Sequence, residues 1–189
     1  MITSNYKIII GDNDGDFLET IKYRLSQIGH TVLDTDTSGV GLIRKIRSLN
    51  PDIVIAEGNL KGMTGFEIGE ILEGEGICPC IVSFKGEPSE YKTNLSRKRI
   101  KAYLKKPIDY NEIDYILKYS ISEFEMIIKE DKKAKEKKIV DKGKKLLMDK
   151  YLLSEEDAYK YIRKKSMDKG ITMYKMAQAL IEVIKKSNK

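Results

Sequence analysis

Acidic and amide side chains recur in this 189-residue chain where apolar runs end. Asp12, Asn13 and Asp14 follow KIIIG, and Glu57 closes DIVIAE. Ser83 and Phe84 end CIVSF, and Lys106 ends AYLKK just before a proline. If the runs are neighbouring strands, three carboxylates converge with one lysine. Hard cations take oxygen ligands, and phosphate oxygens take charge-assisted hydrogen bonds, so this is the charge layout for a divalent cation and a phosphoryl group. Asp12 and Asp14 are the candidate metal ligands, and no catalytic role is expected.

A second constellation lies towards the C-terminus and is basic. Lys142, Lys144, Lys145, Lys150, Lys160, Arg163, Lys164 and Lys165 crowd the polar faces of an amphipathic stretch, with Tyr159 among them. Residues 1–120 hold 16 Lys+Arg against 17 Asp+Glu, a net of −1, whereas residues 121–189 hold 19 against 12, a net of +7. The basic third calls for a polyanion partner. No helix-turn-helix pattern stands out to favour DNA. Lysines would neutralise the partner's charges, and an exposed aromatic such as Tyr159 offers a face for stacking. Tyr161 is assigned to the core, with Ala158, Ile162 and Met167.

The elements that must position these groups follow from periodicity. Strands are expected at Lys7–Gly11, Thr31–Leu33, Asp52–Glu57, Cys80–Ser83 and Lys101–Leu104. Between them, apolar residues at helical spacing (Phe17, Ile21, Leu25, Ile28; then Leu42, Ile43, Ile46, Leu49; then Phe66–Leu72) mark helices. Residues 86–99 are polar and read as a short mobile helix. Asp109 is the expected N-cap of a last helix. Strands alternating with helices imply a doubly wound five-stranded parallel sheet of flavodoxin-like order, with its site outside the C-terminal strand ends. Ile113, Leu117, Ser120, Phe124, Ile127 and Ala134 form one stripe with no Pro or Gly to break it, so a long helix is expected to continue as a connector. That stripe is a seam through which two copies of the chain would pair. Ser154 starts a further helix, Gly170 ends it and Thr172 caps another, which together make a small three-helix bundle.

Residues 6–120 resemble the receiver domain of two-component response regulators, on the segments IIIGDND, PDIVIAEGNLKGMTGFE and YLKKPID. The resemblance implies acids that hold Mg²⁺, an aspartate phosphoacceptor, a hydroxyl and a lysine. Asp12 and Lys106 match. Asn13 stands where the second acid falls, with Asp14 beside it, and Glu57 stands on the phosphoacceptor. The hydroxyl position aligns with Phe84, or with Ser83 after a slip of one. Losing an acid leaves at most weak Mg²⁺ binding. The longer Glu57 would reach Lys106 and imitate the phosphorylated state, which argues against a sensor histidine kinase as partner. As a bare ion pair at the strand ends, Glu57–Lys106 would contribute about 1 kcal/mol or less.

Residues 125–182 resemble the ANTAR domain, an RNA-binding antitermination module, on LLM (146–148), LSEEDAY (153–159), RKKSM (163–167) and Met176-Ala177. Gly143, Lys145 and Ser166 depart from its usual residues. The resemblance implies a homodimer that binds paired stem-loops in nascent transcripts. The expected organisation is a receiver-like domain at 1–120, a helical connector at 109–138 and an RNA-binding domain at 125–189. The alternatives are a protein-interaction signalling module, or a phosphorylatable receiver with a DNA- or partner-binding helical output. No apolar run is long enough to span a bilayer and no signal pattern opens the chain, so a cytoplasmic protein is expected. Cys78 and Cys80 read as buried, reduced thiols and His30 as a surface residue without chemistry.

Overall fold

Runs that are apolar at every position become strands buried on both faces. The computed structural model describes residues 5–86 and 102–186. The strands are β1 (Lys7–Gly11), β2 (Thr31–Asp36), β3 (Ile53–Glu57), β4 (Cys80–Lys85) and β5 (Ala102–Lys106). All pair in parallel in the order β2-β1-β3-β4-β5. Helices α1 (Gly15–Gln27), α2 (Gly39–Leu49) and α3 (Gly65–Glu75) alternate with them, and α4 (Ile113–Tyr151), α5 (Glu155–Asp168) and α6 (Met173–Lys186) follow. The expected helix at 86–99 falls from residue 87 onward outside the described residues, as does Lys101.

Strand alternation sorts side chains into two layers. Ile9, Val54, Ala56, Val82 and Phe84 pack with α2 and α3. Ile8, Ile10, Ile53, Ile55, Ile81, Ala102 and Leu104 pack with α1 and the start of α4. Contacts divide the chain into two units, Met1–Met126 and Ile127–Lys189, with the division inside α4. The second unit has its own core of Leu147, Ala158, Ile162, Met176 and Ile184.

Several expectations change. Asp109 does not cap α4: its carboxylate accepts from the amide of Asn111 at 2.9 Å in a turn, and the helix begins at Ile113. The expected dimer seam is partly spent inside the first unit, because Ile113, Leu117 and Ser120 are the face that α4 buries against its own unit. His30 is buried. Tyr6 stacks on its ring, its Nδ1 accepts the Tyr6 amide at 3.3 Å, and its Nε2 lies 3.3 Å from Asp114 in the first turn of α4. Tyr161 and Met167 are 41% and 71% exposed, and Ser166 takes the inward place. The inward stripe of α5 runs in steps of four through Ala158, Ile162 and Ser166, small enough at its ends for close helix packing, and it leaves Tyr161 to one side. Cys78 and Cys80 are free and buried, and burial lifts the Cys78 thiol to about 12.

Candidate functional site

Alternation that sorts the core also builds the pocket. Asp12, Glu57, Ser83 and Lys106 share the parity of Ile10, Ile55, Ile81 and Leu104 on their own strands, so they form one row across four C-terminal strand ends. Ser83 stands opposite Glu57 in the β3–β4 register. Phe84 has the other parity and is buried beside Tyr103, at 6.4 Å between ring centroids, so the hydroxyl of the row is that of Ser83. That hydroxyl is fully buried with no hydrogen-bond partner among the described residues. Gly65 lets α3 start against this row, since a Cβ there would meet the carbonyl oxygen of Glu57 at 2.6 Å.

Lys106 is enclosed. Its ammonium donates to both Asp12 and Glu57 and lies 4.1 Å from the Phe17 ring centroid, with 4% of its side chain exposed. The ion pair is thus a buried triad of two acids and one cation, outside the range of the surface estimate. Burial pushes the Glu57 carboxyl above its ordinary value; the Lys106 ammonium opposes that shift and the neighbouring Asp12 adds to it.

The remaining acids are engaged elsewhere. Asp14 caps α1 by accepting the Phe17 amide at 3.1 Å, and its other oxygen meets Lys85 at 3.2 Å. The Phe17 amide first, then Lys85, holds its carboxyl below the usual range. Asn13 is exposed and bridges the loop after β3, donating to Asn59 O at 2.9 Å and accepting from Lys61 N at 3.2 Å. The second oxygen of Asp12 accepts the Asp14 amide at 3.0 Å. A divalent ion here would have to displace Lys106 from Asp12 and Lys85 from Asp14, so these residues as arranged do not fit one. Among the described residues no group of three or more His, Cys, Asp or Glu is placed to hold a metal. Phe17 and Lys85 join the site without being among the residues expected there from sequence. The available signal for Lys85 is that it ends β4 level with Lys106.

The basic residues do not form one ridge. At about 100° per residue, Lys144 is turned about 160° from Lys142 on α4. It is drawn between Asp141 and Glu155, both at 2.8 Å, which raise its ammonium above the ordinary value. Lys160 pairs with Glu156 at 2.6 Å. Lys150 and Lys165 lie over the rings of Tyr151 and Tyr161. Lys142, Lys145, Arg163 and Lys164 are exposed, and Tyr159 is 42% exposed.

A doubly wound sheet with an acid–lysine row at its C-terminal strand ends defines a receiver-type domain. The sheet unit is similar to the signal receiver domain of a modulated diguanylate cyclase from Desulfovibrio desulfuricans (20% identity, TM-score 0.59, covering 65% of this chain and 98% of that one). It is also similar to a LuxR-family DNA-binding response regulator from Staphylococcus aureus (18% identity, TM-score 0.57, covering 61% and 98%). These likenesses speak to the fold alone. Residues 8–118 match the family model of the response regulator receiver domain, and residues 131–181 match that of the ANTAR domain. The chain belongs to the response regulator family, with a receiver domain followed by an ANTAR domain. It is 20% identical over 185 residues to the transcriptional regulatory protein PdtaR of Mycobacterium tuberculosis, covering 94% of this chain and 90% of that protein. Among the described residues no helix is long and apolar enough to cross a membrane.

Proposed function

We infer that this chain is a transcription antitermination factor that binds paired stem-loops of nascent RNA through its second unit, under a receiver that phosphorylation does not switch. The observation that carries the control half is the enclosed Lys106, already neutralised by Asp12 and Glu57. In a receiver the lysine is the group a phosphoryl oxygen would meet, and here a carboxylate meets it instead. The output half is supported by the ANTAR match together with outward Arg163, Lys164 and Tyr159. Lysine and arginine would hold phosphates and Tyr159 would stack on a loop base.

A homodimer along the connector helix completes the proposal. The face of α4 open to a second copy carries exposed Tyr115, Tyr119 and Met126, the two tyrosine rings stacked at 6.3 Å. Sequencing the RNA that co-purifies with the full chain tests the assignment. Enrichment of transcripts with tandem hairpins, lost on changing Arg163 and Lys164 to Ala, is the expected result. Recovery of partner proteins and no RNA would replace it with a protein-docking role.

A further inference from the structure

One row of lysines on α4 stands without partners in the second unit. Lys135, Lys138, Lys142 and Lys145 follow at steps of three, four and three, which keeps them within about 80° of one another on the helix. All four are exposed. None makes an ion pair or hydrogen bond among the described residues. Asp141 lies one turn from both Lys138 and Lys145 in sequence, but Lys144 on another face takes it. Asp131 and Asp149 bound the row at its two ends, so it is about 15 Å long. Like charges three or four apart on a helix repel, and a polyanion laid along the row removes that repulsion.

The neighbouring corner is unsuited to phosphate. Glu155, Glu156 and Asp157 fill the first turn of α5. Glu155 and Glu156 also line, with Lys144 and Tyr159, a hollow of about 440 Å³. Lys144, the cation of that lining, is already spent on Asp141 and Glu155, and Lys160 on the same helix as those glutamates is paired with Glu156. A nucleic-acid strand carries a charge about every 3.4 Å of its axis in B-form, so a 15 Å row spans roughly four phosphates.

We propose that the RNA backbone runs along the Lys135–Lys145 face of α4, so that the phosphate track extends to Lys135 and Lys138 and leaves out Lys144 and Lys160. This rests on the RNA-binding function inferred above and assigns its path. The test uses the full chain and a synthetic two-hairpin RNA, with affinity read by fluorescence anisotropy between 50 and 200 mM salt. Each lost phosphate contact lowers the log–log salt slope by about 0.7–0.9. The double variant Lys135→Gln/Lys138→Gln should therefore lose about 1.4–1.8 of slope, and wild type should weaken roughly 7- to 12-fold more than it across that range. Glutamine is as good a helix former as lysine, so unchanged circular dichroism is expected and separates binding from folding. Lys144→Gln/Lys160→Gln should keep the wild-type slope. If Lys135→Gln/Lys138→Gln keeps that slope while Arg163→Ala/Lys164→Ala loses it, the path is wrong and the RNA function stands. If wild type does not bind the RNA at all, both fall.

Discussion

Replacing Lys106 with methionine keeps an unbranched apolar body out to Cε and removes the ammonium. In the folded chain that ammonium serves Asp12 and Glu57, whose side chains are 1% and 10% exposed, and the face of Phe17. Without it two carboxylates are stranded in the same pocket. Removing one partner of a buried pair costs about 3–5 kcal/mol. The raised Glu57 carboxyl can take up a proton and limit the loss, which places the expectation at the lower end, about 3 kcal/mol at pH 7, and less at pH 5. Urea unfolding followed by tyrosine fluorescence would read this as a midpoint lower by about 1–3 M. Adding Glu57→Gln removes one stranded charge and supplies an amide that can donate to Asp12, so it should recover about half of the loss. A cost below about 1 kcal/mol, the size of a surface pair, or one that does not shrink towards pH 5, would refute the buried triad.

Three further outcomes follow from the same geometry. Because the folded Glu57 carboxyl sits above its ordinary 4.5, the native state holds that proton more tightly, and stability is lost as pH rises from near that value through the folded one. Glu57→Gln should flatten that decline in thermal melts between pH 4.5 and 7. Asp14 acts with the opposite sign, adding stability above 3.8 that is lost as pH falls, and does so in both proteins. Gly143→Ala gains helix propensity of about 1 kcal/mol but brings a Cβ to 3.0 Å from that of Ala177, so unfolding should show a net change within about 1 kcal/mol. Gly143→Leu should destabilise the second unit by about 1–3 kcal/mol, and its tolerance would show that α4 and α6 pack less closely there. Ser83→Ala deletes an unpartnered buried hydroxyl and should be neutral or stabilising by up to about 1 kcal/mol in denaturant unfolding; a larger loss would reveal a partner for that oxygen.

Most of the sheet was legible because its central strands are apolar at every position and end in chemistry. The apolar pattern of β2 extends only to Leu33. Its remainder is Asp34-Thr35-Asp36, polar residues that hold an edge position because Lys45 reaches both aspartates at 3.2 Å. The Glu57–Lys106 pairing could be anticipated from strand ends, but its burial could not, since Phe17 closes over the lysine from α1 and nothing in its spacing announces that. The seam on α4 shows the same ambiguity from the other side. A helical apolar stripe is identical whether it packs inside its own domain or against a second copy, and Ile113, Leu117 and Ser120 take the first course. His30 illustrates a residue whose role lies in partners distant in sequence, Tyr6 and Asp114. The basic residues stand out by composition, and Asp141–Lys144 and Glu156–Lys160 have helical pair spacing, while the reach of Glu155 to Lys144 across two helices emerges only from the fold.

The central claim joins an RNA-binding output to a receiver that needs no phosphoryl group. It is tested most directly by measuring the affinity of the full, unmodified chain for a two-hairpin RNA with and without a small phosphodonor and Mg²⁺, with intact mass recorded in each case. Equal binding in both conditions with an unchanged mass is the predicted result. Binding that appears only after the phosphodonor, together with a mass increase, would contradict it.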